Sequence, residues 1–161
     1  MKRAGERLRP PPLRNLLPNI LTVLGLCAGL TAIRFGLEGR FEFAVYAILV
    51  AALLDALDGR VARMMRAQSK FGAELDSLAD FFNFGVAPVL ILYTWSLDAL
   101  GGLGWVAVLG YAVACALRLA RFNVLSEDPD RPSWASSFFT GVPAPAAAGL
   151  VMLPLYMDFA N

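Results

Sequence analysis

Four aspartates have the spacing that points most directly to chemistry: Asp55, Asp58, Asp76 and Asp80. The members of each pair lie three or four residues apart, so on a helix each pair projects from one face. Carboxylates that converge where little water reaches them repel one another, which makes a bound cation almost obligatory. The chain contains no histidine, so oxygen ligands are expected to hold Mg²⁺ or Mn²⁺, with Ca²⁺ as a further candidate ligand.

Two helices must position these pairs. The first pair ends an apolar stretch that runs from Phe41 through Leu54, and the second pair begins a stretch from about Gly72 to Trp95. Because only a short polar break separates the stretches, the helices are predicted to be antiparallel neighbours. The four carboxylates would then converge in one pocket at one membrane edge.

The composition places these helices in a membrane. Of the 161 residues, 58% are hydrophobic and 17% are charged, whereas soluble domains have about 25% charged residues. At about 20 residues a span, five spans and their loops use nearly the whole chain. We therefore predict an all-α, polytopic transmembrane bundle over residues 16–161, preceded by a basic tail or interfacial segment over 1–15. The predicted spans are 16–35, 41–54 with a charged end to 63, 72–95, 105–119 and 142–159.

Basic residues predict the orientation, since they concentrate on the cytoplasmic side of membrane proteins. Twelve of the 14 Lys and Arg fall on one side of the predicted bundle, and only Arg34 and Arg40 fall on the other. We therefore expect an integral protein of the cytoplasmic membrane, with its N-terminus and its acidic pocket on the cytoplasmic side.

The residues beside the aspartates suggest the ligand. Gly59, Ala62 and Gly72 leave space on the same helix faces, and Arg63 supplies a cation for an anionic group. A divalent metal, a floor of small residues and a guanidinium suit a phosphate ester or a diphosphate. A divalent-cation transporter or channel is the alternative from a different class, although its acidic residues would be spread through the membrane depth.

The stretch from Asp55 to Asp80 fills every position of the pattern D-x₂-D-G-x₂-A-R-x₈-G-x₃-D-x₃-D. This pattern resembles the signature of the CDP-alcohol phosphotransferase family. A Pro18-Asn19-x₂-Thr22 start to the first span agrees with it. The stretches 76–80, 83–88, 118–123 and 139–146 resemble the serine-using, membrane-bound branch found in many bacteria and archaea.

The resemblance implies transfer of the phosphatidyl group from CDP-diacylglycerol to L-serine, by direct displacement of CMP. The four aspartates would hold one or two metal ions, and Asp80 would also act as general base. Six residues would bind the nucleotide of the CDP-lipid, the first two of them with helix capping as an alternative role: Asn19, Thr22, Gly59, Ala62, Arg63 and Gly72.

The acceptor pocket is the least determined part of the site. Arg118 and Arg121 are candidates for binding the serine carboxylate, with membrane anchoring as the alternative, and Gln68 and Asn83 are further polar candidates. Glycerol phosphate, inositol phosphate or another small alcohol is the alternative acceptor. The resemblance also implies a homodimer among membrane lipids, with no nucleic-acid partner. Since the family core has six spans and about five are visible, it further implies a chain truncated at its C-terminal end.

Overall fold

A computed structural model describes residues 16–65, 69–126 and 141–159. The predicted tail over 1–15 and the acceptor candidate Gln68 lie outside these residues. Throughout the described ranges every regular element is helical, which confirms the all-α prediction. The elements are α1 (Leu16–Leu37), α2 (Phe41–Met64), α3 (Lys70–Asp80), a π-helical segment (Phe81–Val86), α4 (Ala87–Trp95), a 3₁₀ turn (Leu97–Leu100), α5 (Gly102–Ser126), α6 (Ala144–Val151) and α7 (Leu153–Phe159).

Three helical stretches in the described part of the chain are long and apolar enough to cross a membrane: 16–37, 70–95 and 102–125. The second of them joins α3, the π-helical segment and α4 into one path. Helix α2 has 24 residues, and its last turns carry the first aspartate pair. We conclude that this is an integral membrane protein built as a helical bundle.

The predicted fifth span is interrupted. It consists of α6 and α7, with a turn at Met152 between them. Pro154 is the second residue of α7 and lacks a backbone N–H, so it cannot donate the hydrogen bond that would continue α6. The break in the fifth span therefore lies beside Pro154.

Helix α1 packs closely on its neighbours through small residues. The buried face of α1 carries Thr22, Gly25, Gly29, Ala32 and Gly36. Small side chains let helix backbones approach closely, which is a common way for membrane helices to associate. This face meets a core formed with α2, α4 and α7, which includes Ala32, Ala44, Ile48, Ala87, Ile91, Met152 and Leu155.

The path over Lys70–Trp95, which carries Asp76 and Asp80 and is called the acidic helix below, lies inside the bundle, whereas α5 lies at its edge. Half of the residues in the apolar stretch of Lys70–Trp95 are buried, compared with 11% of those in the apolar stretch of Gly102–Leu125. Helix α5 also runs beyond its predicted bounds of 105–119. Arg118 and Arg121 lie within α5 and do not end it. Long basic side chains can extend from a helix toward the membrane interface while the backbone continues.

Candidate active site

Three of the four signature aspartates meet at the end of the bundle where α2 passes to α3. One carboxylate oxygen from each of Asp55, Asp76 and Asp80 lies within 4.8 Å of the others. Asp55 comes from the last turns of α2, and the other two lie one turn apart on α3. The structure therefore brings these three predicted ligands together.

Asp58 lies outside this group of three. Its side chain is buried, and its Oδ2 accepts a hydrogen bond from Thr22 Oγ1 at 2.7 Å. The Thr22 hydroxyl is also 3.1 Å from the carbonyl oxygen of Pro18, so α1 fixes the carboxylate from the side. Asp58 and Asp76 both line a cleft that adjoins the group of three.

The donor set fits a hard divalent cation. Oδ1 of Asp80 is buried and has no hydrogen-bond partner among the described residues. Within the same residues, the ion pairs involve only Glu38 with Arg34 and Arg40, far along the chain from the aspartates. Oxygen ligands lie about 2.1 Å from Mg²⁺, and therefore about 3 to 4 Å from one another. Small side-chain movements would bring the three oxygens to that spacing.

The adjoining cleft has a volume of about 470 Å³. Its lining includes all six of the predicted nucleotide-binding residues: Asn19, Thr22, Gly59, Ala62, Arg63 and Gly72. A Cβ atom at Gly72 would lie only 3.0 Å from Asn19 Oδ1 and 3.1 Å from Ser69 Oγ. The glycine therefore lets α3 begin close against α1.

Ser69 explains why α3 begins where it does. Its backbone is extended, and its Oγ accepts a hydrogen bond from the backbone N–H of Gly72 at 3.0 Å. Serine is among the best residues at this position, because its side chain satisfies an N–H that has no partner within the helix. Ser69 also lines the cleft.

Asn83 is buried against α1. It is 2% exposed, and a Cβ atom at Gly29 of α1 would clash with its Oδ1. The amide nitrogen lies near Gly25, one turn earlier on α1. The structure thus places Asn83 between α1 and the π-helical segment, where it packs against the glycine face.

The two arginine candidates on α5 differ in their surroundings. Nε of Arg118 is buried and has no hydrogen-bond partner among the described residues, whereas Arg121 is exposed. A Cβ atom at Gly141 would lie 3.6 Å from Arg118 Nε, so this side chain faces the segment that leads into α6.

Two contacts give the register of α5 against the acidic helix. Asn123 Nδ2 donates to Ser77 Oγ at 3.0 Å, and Cys115 meets the face of Gly85. The helices are therefore antiparallel here, and Arg118 lies between the two contacts on α5. Asp80 lies between Ser77 and Gly85, the partners of these contacts. Arg118 is therefore at roughly the same height along the bundle as the acidic group.

Sequence reasoning missed the contacts that α5 makes with the acidic helix. Tyr111 Oη donates to the carbonyl oxygen of Phe84 at 3.1 Å, deeper in the bundle than the Ser77–Asn123 pair. A tyrosine and an asparagine within an apolar helix are a signal that polar partners exist. The sequence contains no indication of which partners they are.

The fold and the site define a class of protein. It is a helical membrane protein in which three clustered carboxylates, suited to a divalent cation, lie beside a polar cleft. A family model described as CDP-alcohol phosphatidyltransferase matches residues 15–160, and the chain belongs to this family. The family is metal-dependent, which agrees with the acidic group.

Similar curated proteins share one name, CDP-diacylglycerol–serine O-phosphatidyltransferase. A relative from Mycobacterium tuberculosis is 53% identical over 147 residues, which cover 90% of this chain and 51% of the relative. One from Helicobacter pylori is 40% identical over 143 residues, or 89% and 58% of the two chains. One from Bacillus subtilis is 37% identical over 133 residues, or 83% and 71%. The chain spans about half the length of the mycobacterial relatives it matches.

Proposed function

We propose that this chain transfers the phosphatidyl group of CDP-diacylglycerol to L-serine, which forms phosphatidylserine and releases CMP. The observation that carries the proposal is the group formed by Asp55, Asp76 and Asp80. Among the described residues, no Lys or Arg forms an ion pair with these carboxylates. The group lies beside the cleft that the other signature residues line. The name that the similar proteins share supports serine as the acceptor.

Asp55, Asp76 and Asp80 would hold Mg²⁺ or Mn²⁺ on the diphosphate, and Asp58 would complete the predicted ligand set. When bound, such an ion stabilises the negative charge that develops on the leaving phosphate. The Thr22 hydroxyl fixes one oxygen of Asp58 in place. Arg63, with Gly59 and the other small residues of the cleft, would receive the cytidine nucleotide.

Asp80 would act as the general base. As the serine hydroxyl oxygen attacks the phosphorus that carries diacylglycerol, the Asp80 carboxylate takes the hydroxyl proton. The bond from this phosphorus to the CMP oxygen breaks on the opposite side, and CMP departs with the electron pair. Direct displacement also suits a sequence that has no histidine to form a covalent phosphohistidine.

Arg118 is the better candidate for the serine carboxylate. It is roughly level with the acidic group, and its buried Nε–H has no acceptor among the described residues, whereas Arg121 is exposed. A guanidinium donates two parallel hydrogen bonds to a carboxylate, so one arginine can both bind and orient the amino acid.

The excess of basic residues near the acidic end supports a cytoplasmic active site and N-terminus in the cytoplasmic membrane. The homodimer that the family resemblance implies stays a prediction, to be measured on the purified protein.

An acceptor panel tests the proposal. Purified protein receives CDP-diacylglycerol, Mn²⁺ or Mg²⁺, and one acceptor at a time: L-serine, glycerol phosphate, inositol phosphate or another small alcohol. We expect CMP release and a new phospholipid with L-serine, and neither after the metal is removed with a chelator. CMP release with a different acceptor only would overturn the choice of serine. Divalent-ion flux in liposomes without CDP-lipid would favour the transporter alternative.

A further inference from the structure

The helix that carries Asp80 changes its geometry immediately after this residue. Over Phe81–Val86 the turns are π-helical, and the N–H of Ala87 bonds to the carbonyl of Phe82, five residues earlier. Pro88 explains the irregularity. In an α-helix its N–H would bond to the carbonyl of Phe84, but proline has no N–H and its ring pushes against that carbonyl.

Tyr111 supplies the hydrogen bond that Pro88 cannot. Its Oη lies 3.1 Å from the carbonyl oxygen of Phe84 and donates to it from α5. Inside a membrane no water is at hand to satisfy a carbonyl, so a donor from a neighbouring helix is worth more there than at a wet surface. This bond therefore fixes the backbone of the π-helical segment at its middle.

Helix α5 approaches the π-helical segment closely at Gly85. A Cβ atom at Gly85 would lie 3.1 Å from the Cβ of Cys115 and 3.0 Å from the Phe81 ring. On the opposite side, Asn83 packs against Gly29 of α1. The segment is thus held between α1 and α5.

The geometry of this segment decides how Asp80 faces its partners. A π-helical turn contains one residue more than an α-helical turn would. Conversion of the segment to regular α-helix would rotate α3 relative to α4 by about 100°, the angle of one residue. Such a rotation, or a fraction of it, would move Asp80 and Asp76 away from Asp55.

We propose that Tyr111 is a positioning residue, which acts through the Phe84 carbonyl and the π-helical segment to hold Asp80 in the cation-binding group. The inference rests on the proposed metal role of the three aspartates and is independent of the acceptor.

Mn²⁺ binding without substrate tests this role directly. Electron paramagnetic resonance of the full chain in detergent would give the Mn²⁺ dissociation constant of the wild type, Tyr111→Phe and Tyr93→Phe. Tyr93 is a matched control, because its ring packs on Trp105 between α4 and α5. We expect Tyr111→Phe to weaken Mn²⁺ binding about threefold to tenfold, as the loss of one hydrogen bond would. Tyr93→Phe should stay within about twofold of the wild type.

A double variant separates this role from a general loss of stability. Pro88→Ala restores an N–H for the Phe84 carbonyl and removes the cause of the π-helical turns, so this variant alone should weaken Mn²⁺ binding. In that background, removal of the Tyr111 hydroxyl should change the remaining Mn²⁺ affinity by less than about twofold. This pair remains informative if Tyr111→Phe alone does not fold. Equal Mn²⁺ affinity in the wild type and Tyr111→Phe, or the same loss in both backgrounds, would overturn the positioning role. A wild type that binds no Mn²⁺ would instead overturn the proposed metal site.

Discussion

The two ends of the bundle treat charge in opposite ways. At the turn between α1 and α2, the charged residues satisfy one another: Arg34 Nε lies 2.8 Å from Glu38 Oε1, and Arg40 lies over the rings of Phe35 and Phe43, at 4.9 and 4.3 Å from their centroids. These contacts are exposed and local, and they use only side chains of this turn.

At the acidic end, where α2 passes to α3, no ion pair among the described residues compensates Asp55, Asp76 or Asp80. Asp55, Asp76 and Asp80 crowd together, and the buried Oδ1 of Asp80 has no donor among the described residues. Unpaired carboxylates in a poorly hydrated place are costly to stability, so they are tolerated only where a ligand compensates them. The contrast teaches that charge balance within the protein distinguishes an end that serves structure from one suited to binding a ligand.

The largest effect is expected from Asp80→Asn, which keeps the shape and removes the base. Turnover should fall about 10²- to 10⁴-fold, while CDP-lipid binding, measured by equilibrium binding, is retained. Asp98→Asn is the matched control, because Asp98 is an exposed carboxylate at the opposite end. Normal turnover in Asp80→Asn would contradict its assignment as base and weaken the contrast between the ends.

The next effect separates the two arginines of α5. Arg118→Ala should raise the serine KM about tenfold or more, because a hydrogen-bonded charge pair is lost. Arg121→Ala should leave the serine KM within about twofold, as expected for an exposed membrane anchor. Steady-state kinetics at saturating CDP-lipid measures both. An unchanged serine KM in Arg118→Ala would return this residue to the anchoring role.

Ser69→Ala tests a polar residue of the acidic end whose contact is structural. Loss of the hydrogen bond from the Gly72 N–H should lower the free energy of unfolding by about 1 kcal/mol. Thermal unfolding in detergent would detect this as a lower Tm, and Ser69→Asp, which can also accept the bond, should restore much of it. A Tm that does not move would show that this cap contributes little.

The smallest effect is expected at the α1–α2 turn. Glu38→Gln removes exposed ion pairs, which contribute less than about 1 kcal/mol each. Activity and Tm should therefore stay close to those of the wild type. A large loss of activity in this variant would break the comparison, because it would connect the two ends functionally.

Helix geometry made the acidic group predictable. The spacing of three or four residues places each aspartate pair on one helix face, and the short break makes α2 and α3 antiparallel. The small residues of the cleft could be predicted for the same reason, since the signature places them on the same two helices. Both features follow from local sequence.

Contacts between helices distant in sequence were not predictable. The bond between Asp58 and Thr22 depends on how α1 is rotated against α2, and the bond from Tyr111 to Phe84 depends on where α5 lies. Pro88 signals an irregular helix but does not identify the donor that completes it. Such placements result from many weak packing contacts, each too small to read from a single residue.

The balanced charges of the α1–α2 turn affect how the chain enters a membrane. In the proposed orientation this turn must cross the bilayer during biosynthesis, and Arg34, Glu38 and Arg40 cross with it. All three lie within seven residues, and Gly39, with a φ of 71°, lets the chain reverse there. Their partners are therefore present as soon as the turn is synthesised, and α1 and α2 can insert together as a hairpin before the acidic helix exists.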